Sequence, residues 1–294
     1  MNKVGRAIIK QCLSGNANLF KYIKNKVFGC NYAHILVTAM MKSGGTYLAE
    51  TLGSLPNYRK VSLVHAYGRR EQELCALKLM SLRHNYAAHH HVRFSDTTET
   101  FINAFCLKPV VLVRNIFDIV VSMKDYIRKG HIINQMVYIL PEMTGWQNSK
   151  IEQFRDVFNI CDPNGIISSA SSDRFANDEV LEEFLIDMFI PWYFHFYLSW
   201  CDCKNKIIVT YEEMNKNMFA TIRKIADYHS LRVSDMDIQG AIEAAKERDT
   251  RKNQGIVGRG KDLSNRLKEK VEKMAAYYRG RDLSPMGLPG DLQD

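Results

Sequence analysis

Residues 34–52 read His-Ile-Leu-Val-Thr-Ala-Met-Met-Lys-Ser-Gly-Gly-Thr-Tyr-Leu-Ala-Glu-Thr-Leu, three textures in succession. His34 to Ala39 is a short apolar run rich in β-branched residues, as expected of a buried strand. Met41 to Thr46 contains two adjacent glycines, which let a backbone approach a ligand closely. Thr46 to Leu52 has the composition of a helix. A strand, a glycine loop and a helix in that order offer backbone N–H groups and a helix N-terminus to an anion. A Walker A loop places its lysine after the glycines, as Gly-x-x-x-x-Gly-Lys-Ser/Thr. Here Lys42 precedes Gly44 and Gly45, which disfavours an ordinary ATP or GTP loop.

Working outward, two more strands of the same kind appear. Pro109 to Arg114 is a continuous apolar run ending in an arginine, and it leads into a helical stretch through Phe117 and Met123. Lys206 to Tyr211 is the third, and after it Ile222, Ile225, Ala226 and Tyr228 recur at helical spacing with one face toward a sheet. Strands alternating with helices predict an α/β, three-layer fold: a central, mostly parallel sheet flanked by helices, P-loop-like, with ligands at the carboxyl ends of the strands. The reading is one domain over 1–294, with a basic N-terminal helical extension at 1–30 and a polar loop at 162–178 that has the length of a lid. Leu181 to Trp200 reads as an apolar, aromatic helix that Pro191 kinks or splits.

Composition narrows the partners. The 294 residues carry 40 Lys+Arg against 32 Asp+Glu, a formal charge of +8 that favours an anionic ligand. The cations are dispersed rather than clustered in a nucleic-acid patch, so a small, highly charged ligand is expected and no nucleic acid. Seven cysteines do not form a dense, even disulfide pattern, which makes a reducing, cytoplasmic location the default. Cys201 and Cys203, beside Trp200, read as structural thiols. No apolar run reaches membrane-spanning length, though residues 1–28 could make a peripheral membrane contact. Oligomeric state is not legible.

Met41-Lys42-Ser43-Gly44-Gly45-Thr46-Tyr47-Leu48 resembles the 5′-phosphosulfate loop of the sulfotransferase family, Pro-Lys-Ser-Gly-Thr-Thr-Trp-Leu. Arg114-Asn115-Ile116-Phe117-Asp118-Ile119-Val120-Val121-Ser122, about 70 residues on, resembles the family's 3′-phosphate motif, Arg-(Asn/Asp)-Pro-x-Asp-x-x-x-Ser. The guanidinium fork of Arg114 suits a phosphate, and the Ser122 hydroxyl adds a donor; the bland alternative is a surface ion pair of Arg114 with Asp118. The segment from Arg251 to Lys261, with Gly255, Gly258, Arg259 and Gly260, is similar to the family's C-terminal glycine loop, and either Arg251 or Arg259 would meet the 3′ phosphate. Tyr211-Glu212-Glu213 resembles the family's Tyr-Glu-Asp, whose tyrosine meets the adenine, and Tyr47 stands where the family has a base-stacking tryptophan.

The resemblance implies a co-substrate, 3′-phosphoadenosine 5′-phosphosulfate, whose product is 3′-phosphoadenosine 5′-phosphate (PAP), no metal, and in-line sulfuryl transfer to a hydroxyl or amine. Ser43, Gly44, Gly45, Thr46 and Tyr47 would then hold the donor with Lys42, whose ammonium stabilises the leaving phosphate. A histidine base is expected in Ala88-His89-His90-His91-Val92. His91 best matches the family position, His89 is next, and adjacent residues on an extended segment point to alternate sides rather than to one metal ion. His65 reads as pocket lining or core. The acceptor is a small molecule, sugar or lipid. The competing reading is a P-loop kinase or a catalytically silent nucleotide-binding protein.

Overall fold

A computed structural model of the chain describes residues 32–64, 72–128, 177–248 and 255–290. Strand β1 (His34–Ala39) is buried along its whole length, which is why its sequence shows no apolar alternation. It is the middle of a five-stranded sheet ordered β2-β3-β1-β4-β5, with β2 (Tyr58–Val61), β3 (Asn85–His90), β4 (Leu107–Val113) and β5 (Ile207–Thr210). Every pairing is parallel, and the register sets Thr38 opposite His90 on one side and Val111 on the other. The carboxyl ends of β1, β3 and β4 therefore lie side by side.

Two of these strands escape the sequence pattern for different reasons. In β2 the residues Arg59 and Lys60 are exposed, a charged edge that resists pairing with another chain. In β3 the residues Asn-Tyr-Ala-Ala-His-His include one strand-favouring residue, Tyr86, and are held by partners on both sides.

The described residues divide into two compact units. The first takes 32–64, 72–113 and 196–248. In it the sheet packs against α1 (Gly45–Gly53), α6 (Tyr211–Lys216), α7 (Met218–His229) and α8 (Asp235–Lys246) through Ile35, Val37, Leu48, Leu52, Ala87, Val110, Leu112, Val209, Ile222, Ile225 and Ile238. Helices α2 (Ala76–Ser81) and α3 (Asp96–Phe105) complete it, α3 capped by the Ser95 hydroxyl accepting from Thr98 N. The predicted face of α7 is buried at Ile222, Ile225 and Ala226, whereas Tyr228 is half-buried. At Thr210 a reciprocal cap with Glu213 ends β5, so Tyr211 opens a helix instead of closing a strand.

The second unit takes 114–128, 177–195 and 255–290: α4 (Ile116–Arg128), most of α5 (Asp178–Cys201), a 3₁₀ turn Arg259–Asp262 and α9 (Asn265–Ala275). Lys124 reaches Asp178 and Glu182 of α5, and Lys270 of α9 reaches Glu183 and Asp187. Pro191 does not split α5, which runs on as one helix. Its neighbours Phe189, Ile190, Trp192, Tyr193 and Phe194 are at most 5% exposed. Burying each such side chain contributes about 1.5–3 kcal/mol, so together they outweigh the roughly 3 kcal/mol that a helical proline costs.

Cys75, Cys201 and Cys203 are outside any disulfide, but Cys106 is disulfide-bonded, a departure from what a reducing compartment leads one to expect. Among the described residues no helix is long and apolar enough to cross a membrane. The extension at 1–30, His65, Arg251 and residues 162–176 of the predicted loop lie outside the described residues; Asp178, its last position, starts α5.

Candidate active site

The loop after β1 is built around two left-handed residues, Lys42 at φ 64° and Gly44 at φ 84°. That conformation costs a non-glycine residue about 1–2 kcal/mol, and such strain persists where the surrounding structure imposes it. Ser43 is fully buried and its N–H donates to Met40 O at 3.3 Å. Gly44 precedes α1 without any side-chain cap, and Gly45, Thr46 and Tyr47 form the first turn, whose N–H groups have no intrahelical acceptor. Both glycines are sterically required. A Cβ on Gly44 would lie 2.7 Å from Met214 Cε and 3.0 Å from the Tyr211 ring, and one on Gly45 would overlap Nε2 of His89. Tyr211, 8% exposed, therefore lies against the loop.

The three consecutive histidines have three different environments. His90 is 1% exposed and its Nε2 accepts the Leu63 N–H at 2.8 Å, which requires that nitrogen to be unprotonated. Burial, with the nearby charges of His91, Lys78 and Lys60, lowers its pKa to about 3. His89 is half-buried, with its Nε2 sealed from solvent and lacking a hydrogen-bond partner among the described residues. Burial, then the charges of His91, His90 and Lys60, holds it well below the ordinary imidazole range. His91 follows the strand, and its Nδ1 lies 2.6 Å from Ala39 O. A carbonyl only accepts, so Nδ1 carries the hydrogen and Nε2 is left as the basic nitrogen. Ala39 is the last residue of β1, so the ring is tied to the strand end from which the loop departs. The next residue, Val92, has its carbonyl held twice, by Thr38 Oγ1 at 2.6 Å and Trp200 Nε1 at 2.9 Å. His90 thus points away from the other two, whose rings meet edge to face at 5.2 Å, and among the described residues no group of three or more His, Cys, Asp or Glu is arranged to hold a metal.

In the second unit, α4 begins where the Asn115 side chain accepts from the N–H groups of Phe117 and Asp118, at 3.0 and 3.2 Å. Ile116, in the place of the family's proline, is fully buried. Arg114 is 4% exposed and donates to Ile256 O at 3.1 Å, and its guanidinium lies 3.6 Å from Asp118. The Arg114–Asp118 pair anticipated at the surface is thus buried. Ser122, 1% exposed, carries a hydroxyl without a hydrogen-bond partner among the described residues. The backbone N–H groups of Gly258 and Gly260 donate to Asp118, and Arg259 pairs with Asp125 at 2.6 Å.

Residues 33–274 match the sulfotransferase domain family. The chain belongs to that family and is an enzyme of sulfuryl transfer. This membership sets aside the kinase and silent-binder readings. No curated protein matches the sequence. Among solved structures, the chain is similar to mouse sulfotransferase SULT7A1 complexed with PAP, at 18% identity over 85% of each chain and a TM-score of 0.55, a likeness of fold. It is also similar to a sulfotransferase from Alicyclobacillus acidocaldarius, at 10% identity over 87% of this chain and 96% of the other, with a TM-score of 0.46.

Sequence reasoning singled out Lys42, His91, Arg114 and Ser122 because each sits in a local motif. It missed Thr38 and Trp200, which hold the peptide beside His91, and gave Asp118 only the role of a surface partner. The one clue was spacing: Asp118 and Ser122 are one helical turn apart and share a face.

Proposed function

We propose that the enzyme moves the sulfuryl group of 3′-phosphoadenosine 5′-phosphosulfate in line to a hydroxyl or amine of a small-molecule, sugar or lipid acceptor, releasing PAP. The observation that carries this reading is the His91–Ala39 hydrogen bond, which puts a hydrogen on Nδ1, leaves Nε2 as the nitrogen able to take a proton, and ties the ring to the strand end from which the phosphate-type loop departs. His91 Nε2 takes the acceptor's proton as the new oxygen–sulfur (or nitrogen–sulfur) bond forms. The bond from sulfur to the 5′-phosphate oxygen breaks, its electron pair stays on that oxygen, and the Lys42 ammonium neutralises the charge that develops there. Ser43 to Tyr47 supply the donors around the 5′ phosphate, and Tyr47 and Tyr211 contact the adenine.

Arg114 and Ser122 recognise the 3′ phosphate, with the Gly258-Arg259-Gly260 segment and Arg251 assigned to the same end. A buried arginine and, about two helical turns further along the chain, a buried hydroxyl lacking a partner among the described residues fit such an anion. No metal is needed in this scheme, because Lys42 and the arginines supply the positive charge and a sulfuryl group carries less negative charge than a phosphoryl group.

Thermal unfolding with PAP, ATP or neither tests the donor. A ligand at 100 times its Kd adds about 2.7 kcal/mol of stability, so PAP should raise the midpoint clearly. Stabilisation by ATP alone would overturn the reading. With a radiolabelled donor and an acceptor panel, His91→Ala should lower turnover by roughly 10²–10⁴-fold with PAP affinity unchanged, whereas His90→Gln should retain turnover.

A further inference from the structure

The face of α4 that carries Asp118, Ser122 and Asp125 at positions i, i+4 and i+7 is a polar stripe, and the segment from Gly255 to Asp262 lies on it. Asp118 Oδ2 accepts the Gly258 N–H at 2.8 Å and Oδ1 accepts the Gly260 N–H at 2.7 Å, so both oxygens of one buried carboxylate hold one turn of backbone. That turn needs its glycines: Gly258 sits at φ 83°, and a Cβ on Gly260 would collide with Phe117 Cβ and with the Asp118 backbone nitrogen. Arg259, between them, is tied to Asp125. Glycine turns of this shape offer converging N–H groups to a phosphate. Here the anion is a side chain of the protein, so those two donors are consumed internally.

We infer that Asp118 is a positioning residue, an internal anion that docks the C-terminal glycine segment on α4 and so shapes the 3′-phosphate site of Arg114 and Ser122. The inference rests on the donor reading above. It also makes a prediction whose sign is not that of simple electrostatics. Asp118 sits 3.6 Å from Arg114, so as a mere charge it opposes phosphate binding, and removing that charge would tighten it. As a dock it favours binding, and removing it loosens the site. In Asp118→Asn one carboxylate oxygen becomes an N–H donor facing a backbone N–H, which breaks the dock at nearly constant shape.

The test is calorimetric titration of the full chain with PAP and with adenosine 5′-monophosphate, taking the ratio of the two affinities. General damage to the fold weakens both nucleotides together, whereas this role moves the ratio. The parent should prefer PAP. Asp118→Asn should reduce that preference tenfold or more with the monophosphate affinity within about twofold, and Gly260→Ala, which leaves every charge in place, should do the same. A preference that survives both substitutions, or that grows in Asp118→Asn, overturns the docking role alone. A parent that binds both nucleotides equally overturns the donor reading and the docking role with it.

Discussion

Lys42 combines the chemical role proposed for it with an unfavourable backbone, and the two can be separated. Its φ of 64° is one that glycine adopts freely. Replacing it by glycine relieves about 1–2 kcal/mol of left-handed strain against roughly 0.5–1 kcal/mol of added chain entropy, whereas alanine keeps the strain. Lys42→Gly should therefore be more stable than Lys42→Ala by up to about 1.5 kcal/mol in denaturant unfolding, with both reduced in turnover by on the order of 10²–10³-fold. Equal stability of the two variants would remove the strain argument. The lysine was legible from sequence because the strand, loop and helix that define it are contiguous. Its left-handed backbone was not, since an isolated lysine gives no sign of φ.

At the scale of elements, β3 shows both what a sequence hides and what a fold does to titration. Asn85–His90 lacks the β-branched residues that mark a strand, yet neighbours on both sides make it central. That environment pins His90 neutral, its pKa lowered to about 3 by burial. In the unfolded chain the same ring titrates near 6.5. Between those values the unfolded state binds a proton that the folded state refuses. The contribution of His90 to stability is complete above pH 6.5 and is lost as the pH falls toward 3, by about 1.4 kcal/mol per pH unit. His229, buried and likewise lowered to about 3, adds a slope of the same sign. His90→Gln keeps an acceptor for the Leu63 N–H and cannot protonate, so its denaturation midpoint should change less than the parent's between pH 7.5 and 5. Parallel curves would contradict the assignment. Helix α5 teaches the complementary lesson, since Pro191 reads locally as a break and is carried through by burial along the helix.

For the whole molecule, the formal charge of +8 and the dispersed cations acquire a use once the donor is a compact polyanion. Raising salt from 50 to 500 mM should weaken PAP more than adenosine 5′-monophosphate, because the extra phosphate has more charge to be screened. Calorimetry at both salts measures this; equal losses would remove the electrostatic role of the 3′ end. The α/β class and the parallel sheet followed from apolar runs and their spacing, and the strands confirm them. The supports of the site were illegible because each joins segments far apart in the chain.

Those separations set a timetable for synthesis. The Val92 carbonyl is held across 54 residues by Thr38 and across 108 by Trp200, and Asp118 holds Gly260 across 142. A nascent chain emerging from the ribosome can pair β1, β3 and β4 early, because they lie within the first 113 residues. The peptide beside His91 stays without its indole donor until Trp200 has emerged, and the glycine segment reaches α4 later still. A growing polypeptide thus can acquire four strands of its sheet well before β5 and before the supports of the proposed site, and ribosome-stalled chains ending short of Trp200 would be folded in part and inert.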